Sequence, residues 1–387
     1  MLPAHLSHLP APSPEAAAHG ARLARLIADE IAAAGGWISF ARYMELALHA
    51  PGLGYYSAGA RKFGAAGDFV TAPELGSLFG RVLAHQVAQI LQTGISDIIE
   101  LGAGSGKLAR DLLAELATLD CLPRRYLILE TSAELKSRQR ELLARELPRL
   151  APRVSWLDAM PASFSALVIG NEVLDAMPVH VVRTRAGGID ELGVTATAKG
   201  FEWEARPAAG TVLDHAGNLG LPAGYTTELH LAASAFVRTL ATALSSGAAL
   251  LIDYGFPARE YYHPQRSAGT LMCHYRHHSH DDALCLPGLQ DITSHVDFSS
   301  LACAATDAGL NVLGYANQSQ FLINCGLADV LATTPADDAA AYAPLAAQAQ
   351  RLTSPAEMGE LFKVIAFGRN FTVPLIGFAR GDKRHTL

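Results

Sequence analysis

Gly102-Ala103-Gly104-Ser105-Gly106 are the residues of this chain whose type and spacing speak most directly of chemistry. They follow the β-rich run DIIEL and lead into KLARDLLAELATL, so a strand, a tight turn and a helix N-terminus meet where backbone can approach a ligand closely. A dinucleotide loop requires G-x-G-x-x-G; here the third glycine comes one residue early, and Lys107 stands where that spacing needs glycine. No G-K-[ST] follows, so a phosphate P-loop fails as well. The chemistry left is close backbone contact with a nucleoside that carries no phosphate. A sulfonium cofactor, S-adenosylmethionine, is such a ligand, and it asks for carboxylates to manage a cationic amine and a ribose diol. Glu100 and Glu130 supply them, since two carboxylate oxygens at the end of RYLILE can accept both ribose hydroxyls. Asp158 ends VSWLD, where its carboxylate or the backbone beside it can meet the adenine amino group. Plainer readings stay open beside these: Glu130 as a cap for a helix starting near Ser132, and Asp158 as a turn residue.

A second constellation is GNEVLDAMPVH, which follows the apolar run SALVIG and places Asn171, Glu172 and Asp175 at a strand's carboxyl end. Methyl transfer is an in-line displacement governed by positioning. For a cationic guanidinium acceptor, Glu172 and Asp175 are the expected carboxylate pair, able to clamp it and to accept the released proton, with Asn171 turned to the cofactor. The alternative is a strand-to-helix connection with capping acids. Thr71-Ala72-Pro73-Glu74 reads first as a capping-box helix start, and Thr71 also becomes a cofactor contact if the loop at Gly67-Asp68-Phe69 folds over the methionine end. His295, ahead of a helix, is a candidate for acid/base or substrate contact, with a structural histidine as the competing reading. His274, His277, His278 and His280 lack a fixed ligand spacing, and methyl transfer needs no metal, so no metal site is expected.

Such residues need a scaffold that gathers strand ends. From Ser96 onward short β-rich runs alternate with helical ones, which predicts an α/β fold with about seven strands in a mostly parallel sheet. AALLIDYG, NVLGYA and FKVIAFG are its later strands, with helices over 228–245 and 298–309. Stretches 175–227 and 255–297 interrupt the rhythm as insertions, the first a β-hairpin or meander around glycine turns. The expected organisation is an N-terminal tail and helical cap over 1–95, including a lid-like loop RKFGAAGDFV, then a catalytic core over 96–387.

The chain has 387 residues, half of them hydrophobic, which suits a globular protein. A net charge of −7 argues against a nucleic-acid partner. Cys121, Cys273, Cys285, Cys303 and Cys325 are odd in number and widely spaced, which fits reduced thiols; with no apolar run long enough to span a membrane and no targeting pattern, the expectation is a cytoplasmic protein.

Taken together, YMELALHAPGLGYY, GDFVTAPELGSLFG, ELGAGSGKL, GNEVLDAMPVH, LLIDYG, GTLMCHYRHH, PGLQDITSHVDF and EMGELFKVIAFGR resemble the MidA-like family, over about residues 37–370 and in the family's order. That family includes a mitochondrial complex I assembly factor and bacterial relatives. The resemblance implies a class I, Rossmann-like methyltransferase fold and methylation of arginine on a protein, linked to assembly of a respiratory complex. Gly76-Ser77 departs from the Ser-Pro pair expected of the family at that point. Two other functions compete: an assembly protein that keeps a cofactor-shaped core but only binds, and a nicotinamide oxidoreductase, which the glycine spacing disfavours.

Overall fold

The computed structural model describes residues 9–57 and 71–387. RKFGAAGDFV and Gly67-Asp68-Phe69 lie outside the described residues. The chain forms two compact units, one from Val70–Val173, Ser234–Pro257 and Asp297–Leu387, the other from Met1–Phe69, Leu174–Ala233 and Ala258–Val296.

The first unit carries the large sheet. Its strands are β1 (Asp97–Leu101), β2 (Arg125–Leu129), β3 (Val154–Leu157), β4 (Phe164–Asn171), β5 (Leu244–Phe256), β6 (Asn311–Asn317) and β7 (Phe362–Arg369). They lie in the order β6-β7-β5-β4-β1-β2-β3, the path of a sheet of eight strands. β5, β4, β1, β2 and β3 pair in parallel, while β7 runs antiparallel to both neighbours. The fold is therefore α/β with a mixed sheet. Direction could not be read from the apolar runs, because FKVIAFG is buried along its whole length, as the parallel strand DIIEL is, and such a run carries no sign of its sense.

β1 starts the chain's passage through the sheet from the middle. The strands after it go first to one side, through β2 to β3, and then return to β4 and β5 on the other. β1 and β4 thus flank the point where the order reverses, and the crevice beyond their carboxyl ends is where such sheets take ligands. Every residue of DIIEL is buried. Helix Leu78–Leu91 is buried at ten of its fourteen positions and packs with helix Lys107–Thr118 in the core of this unit, so residues 71–95 go with the sheet. Gly80 permits the approach: a Cβ there would lie 2.5 Å from Asp111 Cβ.

The helix read over 228–245 divides. Thr226–Leu229 is a strand paired with His180–Arg183, and the helix proper is Leu231–Ala243, with β5 following at once. Pairing partners 45 or so residues away in sequence override the local helical pattern. Between β6 and β7 the chain adds helices Gln318–Asn324, Leu327–Ala332, Ala339–Thr353 and Met358–Leu361.

The second unit is built on an antiparallel sheet of His180–Arg185, Gly188–Thr197, Gly200–Pro207, Thr226–Leu229 and Ile38–Ser39, of which the first three strands are the meander read in the first insertion. Helix Pro14–Ala33, capped by Ser13, buries Leu23, Ile27 and Ile31 at four-residue spacing. Those side chains join Phe40, Tyr43, Val181, Val194 and Ile292 in one apolar cluster. The second insertion contributes a small sheet of Met272–Tyr275, His278–His280 and Asp291–Thr293.

Candidate functional site

At the end of β1 the chain turns through Gly102, Gly104 and Gly106 with φ of +57°, +53° and +85°. L side chains rarely adopt this region, so the turn asks for glycine at each of the three positions. Gly106 has a steric reason as well, since a Cβ there would come within 3.2 Å of Gln139 Cγ. Helix Lys107–Thr118 then begins at Gly106, which has no side chain to cap it, and Lys107 N–H donates to Ser105 Oγ at 3.4 Å.

Glu100 sits just before the turn, 2% exposed, and accepts the Tyr126 hydroxyl at 2.7 Å. Burial raises its pKa to about 7; the Glu130 charge pushes the same way and the Tyr126 hydrogen bond opposes both. An acid so poised gains most from a cationic group brought beside it. Glu130, 8% exposed at the end of β2, has its pKa raised by burial against hydrogen bonds from Ser132 N–H and Gln139. Its Oε1 accepts Ser132 N–H at 2.8 Å and its Oε2 accepts Gln139 Nε2 at 3.4 Å; the cap of the following helix is Ser132, whose own side chain accepts Leu135 N–H, and Glu130 still holds lone pairs for a diol. Gln139 also donates to the Gly104 carbonyl at 2.9 Å and accepts Trp156 Nε1–H at 2.7 Å, which ties β3, the helix after β2 and the glycine turn together. Asp158 differs from the two glutamates: its side chain is 91% exposed and ion-paired to Lys136, which lowers its pKa.

Thr71 stands at the N-cap of the helical turn Ala72–Leu75 but makes no cap hydrogen bond through its side chain. The capping-box reading is corrected here. Glu74 does not reach back to Thr71; its carboxylate accepts Ser105 Oγ–H and Lys107 Nζ, and the pull of an ammonium outweighs that of a neutral amide.

At the end of β4, Asn171 Nδ2 donates to Glu172 Oε1 at 2.9 Å, and Asn171 Oδ1 is buried without a hydrogen-bond partner. Glu172 has φ +53°, a conformation costly for a residue with a Cβ, and its amide bonds to the Ile252 carbonyl at 2.8 Å. Asp253, fully buried on β5, accepts Val173 N–H at 3.1 Å and fixes the next step of the turn. Glu100, the three glycines, Glu130, Asn171 and Glu172 are thus gathered at the carboxyl ends of β1, β2 and β4. The donor set fits a ligand with an ammonium, a diol and no phosphate.

Asp175 and His295 belong to the second unit. Asp175 is 5% exposed, and its carbonyl accepts Ser294 N–H at 3.0 Å. The His295 amide bonds to Thr270 Oγ1 at 3.0 Å. Thr270 in turn serves Glu228, a carboxylate 1% exposed that also accepts the Tyr261 hydroxyl at 2.8 Å, while Tyr261 contacts His230 Nε2 at 3.1 Å. His274 lies on strand Met272–Tyr275 and His278 and His280 on its hairpin partner, with Arg276 and His277 turning at positive φ. Among the described residues no group of three or more His, Cys, Asp or Glu side chains could hold a metal ion.

Sequence reasoning passed over Tyr126, Gln139 and Glu228, and read Glu74 only as the acid of a capping box. Lys107 beside the glycines was a signal that some anion must answer it; Gln139 gave none, since a polar residue within a charged helix reads as solvent-facing.

The sequence profile of the family described as "Putative S-adenosyl-L-methionine-dependent methyltransferase" matches residues 78–316. A crystal structure from Burkholderia thailandensis bound to S-adenosyl-homocysteine is similar with a TM-score of 0.95 and 52% identity, over 98% of this chain and 100% of that one. Among curated proteins, the mitochondrial protein arginine methyltransferase NDUFAF7 of Mus musculus is 30% identical, covering 86% of this chain and 81% of its own length. Its homolog in Caenorhabditis elegans is 29% identical, covering 81% and 78%. These relatives are named as mitochondrial, which corrects the expectation of a cytoplasmic protein. Unpaired cysteines distinguish reducing from oxidising surroundings, not one reducing compartment from another. No helix among the described residues is long and apolar enough to cross a membrane. The glycine turn, its two buried acids and these matches make the chain a member of the S-adenosylmethionine-dependent methyltransferase family that contains the mitochondrial arginine methyltransferases.

Proposed function

We propose that this chain binds S-adenosylmethionine at the carboxyl ends of β1, β2 and β4, on a class I sheet, and methylates an arginine side chain of a protein linked to assembly of a respiratory complex. The observation that carries the reading is the glycine turn held at positive φ between two buried carboxylates, Glu100 and Glu130. When bound, the cofactor supplies an electrophilic methyl group. Glu130 accepts the ribose hydroxyls, and Glu100 faces the cationic amine. Gly102 and Gly104 let backbone come close, with Thr71 and Asn171 as further cofactor contacts and Asp158 at the adenine end. Glu172 receives the guanidinium and draws off the proton that the methylated nitrogen loses. Asp175 is the proposed second acid and His295 the proposed acid/base or substrate contact, each to be tested by its own substitution.

Calorimetry on the full chain should show micromolar binding of S-adenosylhomocysteine. Incubation with methyl-labelled cofactor and a lysate that holds the acceptor should place label on arginine, read by mass spectrometry. No binding by folded protein sinks the cofactor assignment; label confined to lysine or to small molecules sinks the arginine assignment alone.

A further inference from the structure

Ser105 and Lys107 give the glycine turn the makings of an anion site. A hydroxyl, an ammonium and the uncapped N-terminus of a helix of 12 residues lie within three positions of one another. In a nucleotide-binding loop such a set takes a phosphate. Here both side chains are already engaged. Glu74 Oε1 accepts the Ser105 hydroxyl, and Glu74 Oε2 accepts Lys107 Nζ at 2.7 Å. The Glu74 side chain is 6% exposed and that of Lys107 33%, so the carboxylate is the inner partner. The segment that delivers it is held from beyond as well, because Leu78 N–H donates to Gln348 Oε1 at 3.2 Å.

We infer that Glu74 is a specificity-determining residue of the cofactor loop: its carboxylate occupies the place a phosphate would take, so that the loop admits a phosphate-free nucleoside and rejects nucleotides. A phosphate approaching Lys107 and Ser105 meets a buried anion already bonded to both, and must displace it or accept like-charge repulsion. The proposed cofactor carries no phosphate, and the single carboxylate of its methionine is accompanied by the cofactor's own ammonium. The inference also accounts for Lys107 beside a glycine loop that fails the dinucleotide and P-loop spacings: its charge is spent on a residue of the same chain. It rests on the reading of the turn as a cofactor loop.

The test is calorimetric titration of wild type, E74Q, E74A and E74Q/K107A with S-adenosylhomocysteine and, separately, with ADP. Wild type should bind S-adenosylhomocysteine and give no heat with ADP. E74Q and E74A should gain ADP binding, tighter than wild type by about tenfold or more, and E74Q/K107A should lose that gain. S-adenosylhomocysteine titrations of the same variants report whether the turn is still formed. Wild type that binds S-adenosylhomocysteine alongside E74Q and E74A proteins that gain no ADP binding overturns this inference and leaves the cofactor reading standing. A gain that persists without Lys107 also overturns it. Wild type that fails to bind S-adenosylhomocysteine removes the cofactor reading and this inference with it.

Discussion

Glu172 combines two properties that seldom coincide in a residue kept for structure alone. Its backbone is left-handed at φ +53°, and its carboxylate is oriented by Asn171 at the end of β4. A left-handed L residue costs about 1–2 kcal/mol, of which glycine would recover part against its own entropy loss of about 0.5–1 kcal/mol. E172G should therefore leave stability within about 1 kcal/mol of wild type, or slightly raise it, while abolishing methyl transfer. E172Q should keep S-adenosylhomocysteine affinity and lose activity by about a hundredfold or more, the scale of a lost general base. Denaturant titration, calorimetry and turnover measured side by side check all three. E172Q with full turnover would remove Glu172 from the reaction, and E172G unfolding well below wild type would mean that the strain is not where the backbone places it. Asn171 belongs to the same argument: with its amide nitrogen committed to Glu172, its buried oxygen is left to accept from an incoming group.

Helices and strands set how closely these residues can approach. The run of five buried residues in DIIEL and the glycine-to-helix transition after it were legible because both follow from local chemistry: a β-rich strand, a turn with glycine at its three positive-φ positions, a helix start. The direction of β7, the strand at Thr226–Leu229 and the reach of Glu74 to Lys107 were not, because each is decided by residues far away in sequence. Gly80 shows the same dependence from the other side. Nothing local asks for glycine inside helix Leu78–Leu91, yet its surface touches Asp111 of helix Lys107–Thr118, and an added Cβ would lie 2.5 Å from Asp111 Cβ. G80V should separate the two helices and cost about 1–3 kcal/mol by overpacking, beyond any helix-propensity gain. Because the second helix begins at the glycine turn, S-adenosylhomocysteine affinity should fall as well. Urea unfolding together with calorimetry reads both, and unchanged values in the two would show that the helices can slide apart freely.

For the whole molecule, the buried groups on which pH-dependent stability draws include two of opposite sign, one in each unit. Glu100 ionises at about 7 when folded, against 4.5 as its ordinary value, mainly because of burial. The folded state therefore holds an extra proton between those values, and the stability this group contributes is fully present below pH 4.5 and is lost as pH rises through 7. His230 runs the other way. Burial, with the His295 charge pushing the same way and the backbone hydrogen bond to His295 opposing, lowers its pKa from 6.5 to about 4, so the unfolded state binds the extra proton and stability is lost as pH falls from 6.5 through 4. Over the shared span the two slopes oppose each other, and the wild-type profile conceals both. Difference curves separate them. Relative to wild type, E100Q should gain stability as pH rises from about 4.5 to 7, because it no longer carries the penalty of ionising a buried acid. H230Q should gain as pH falls from about 6.5 to 4. Thermal unfolding of the three proteins across that range checks both signs. Bound S-adenosylhomocysteine should flatten the E100Q difference alone, since a cationic amine beside Glu100 favours the ionised acid, whereas His230 titrates in the other unit. Equal flattening of the H230Q difference would mean that ligand binding reaches both groups, and parallel curves for E100Q and wild type would mean that Glu100 is already ionised in the free protein.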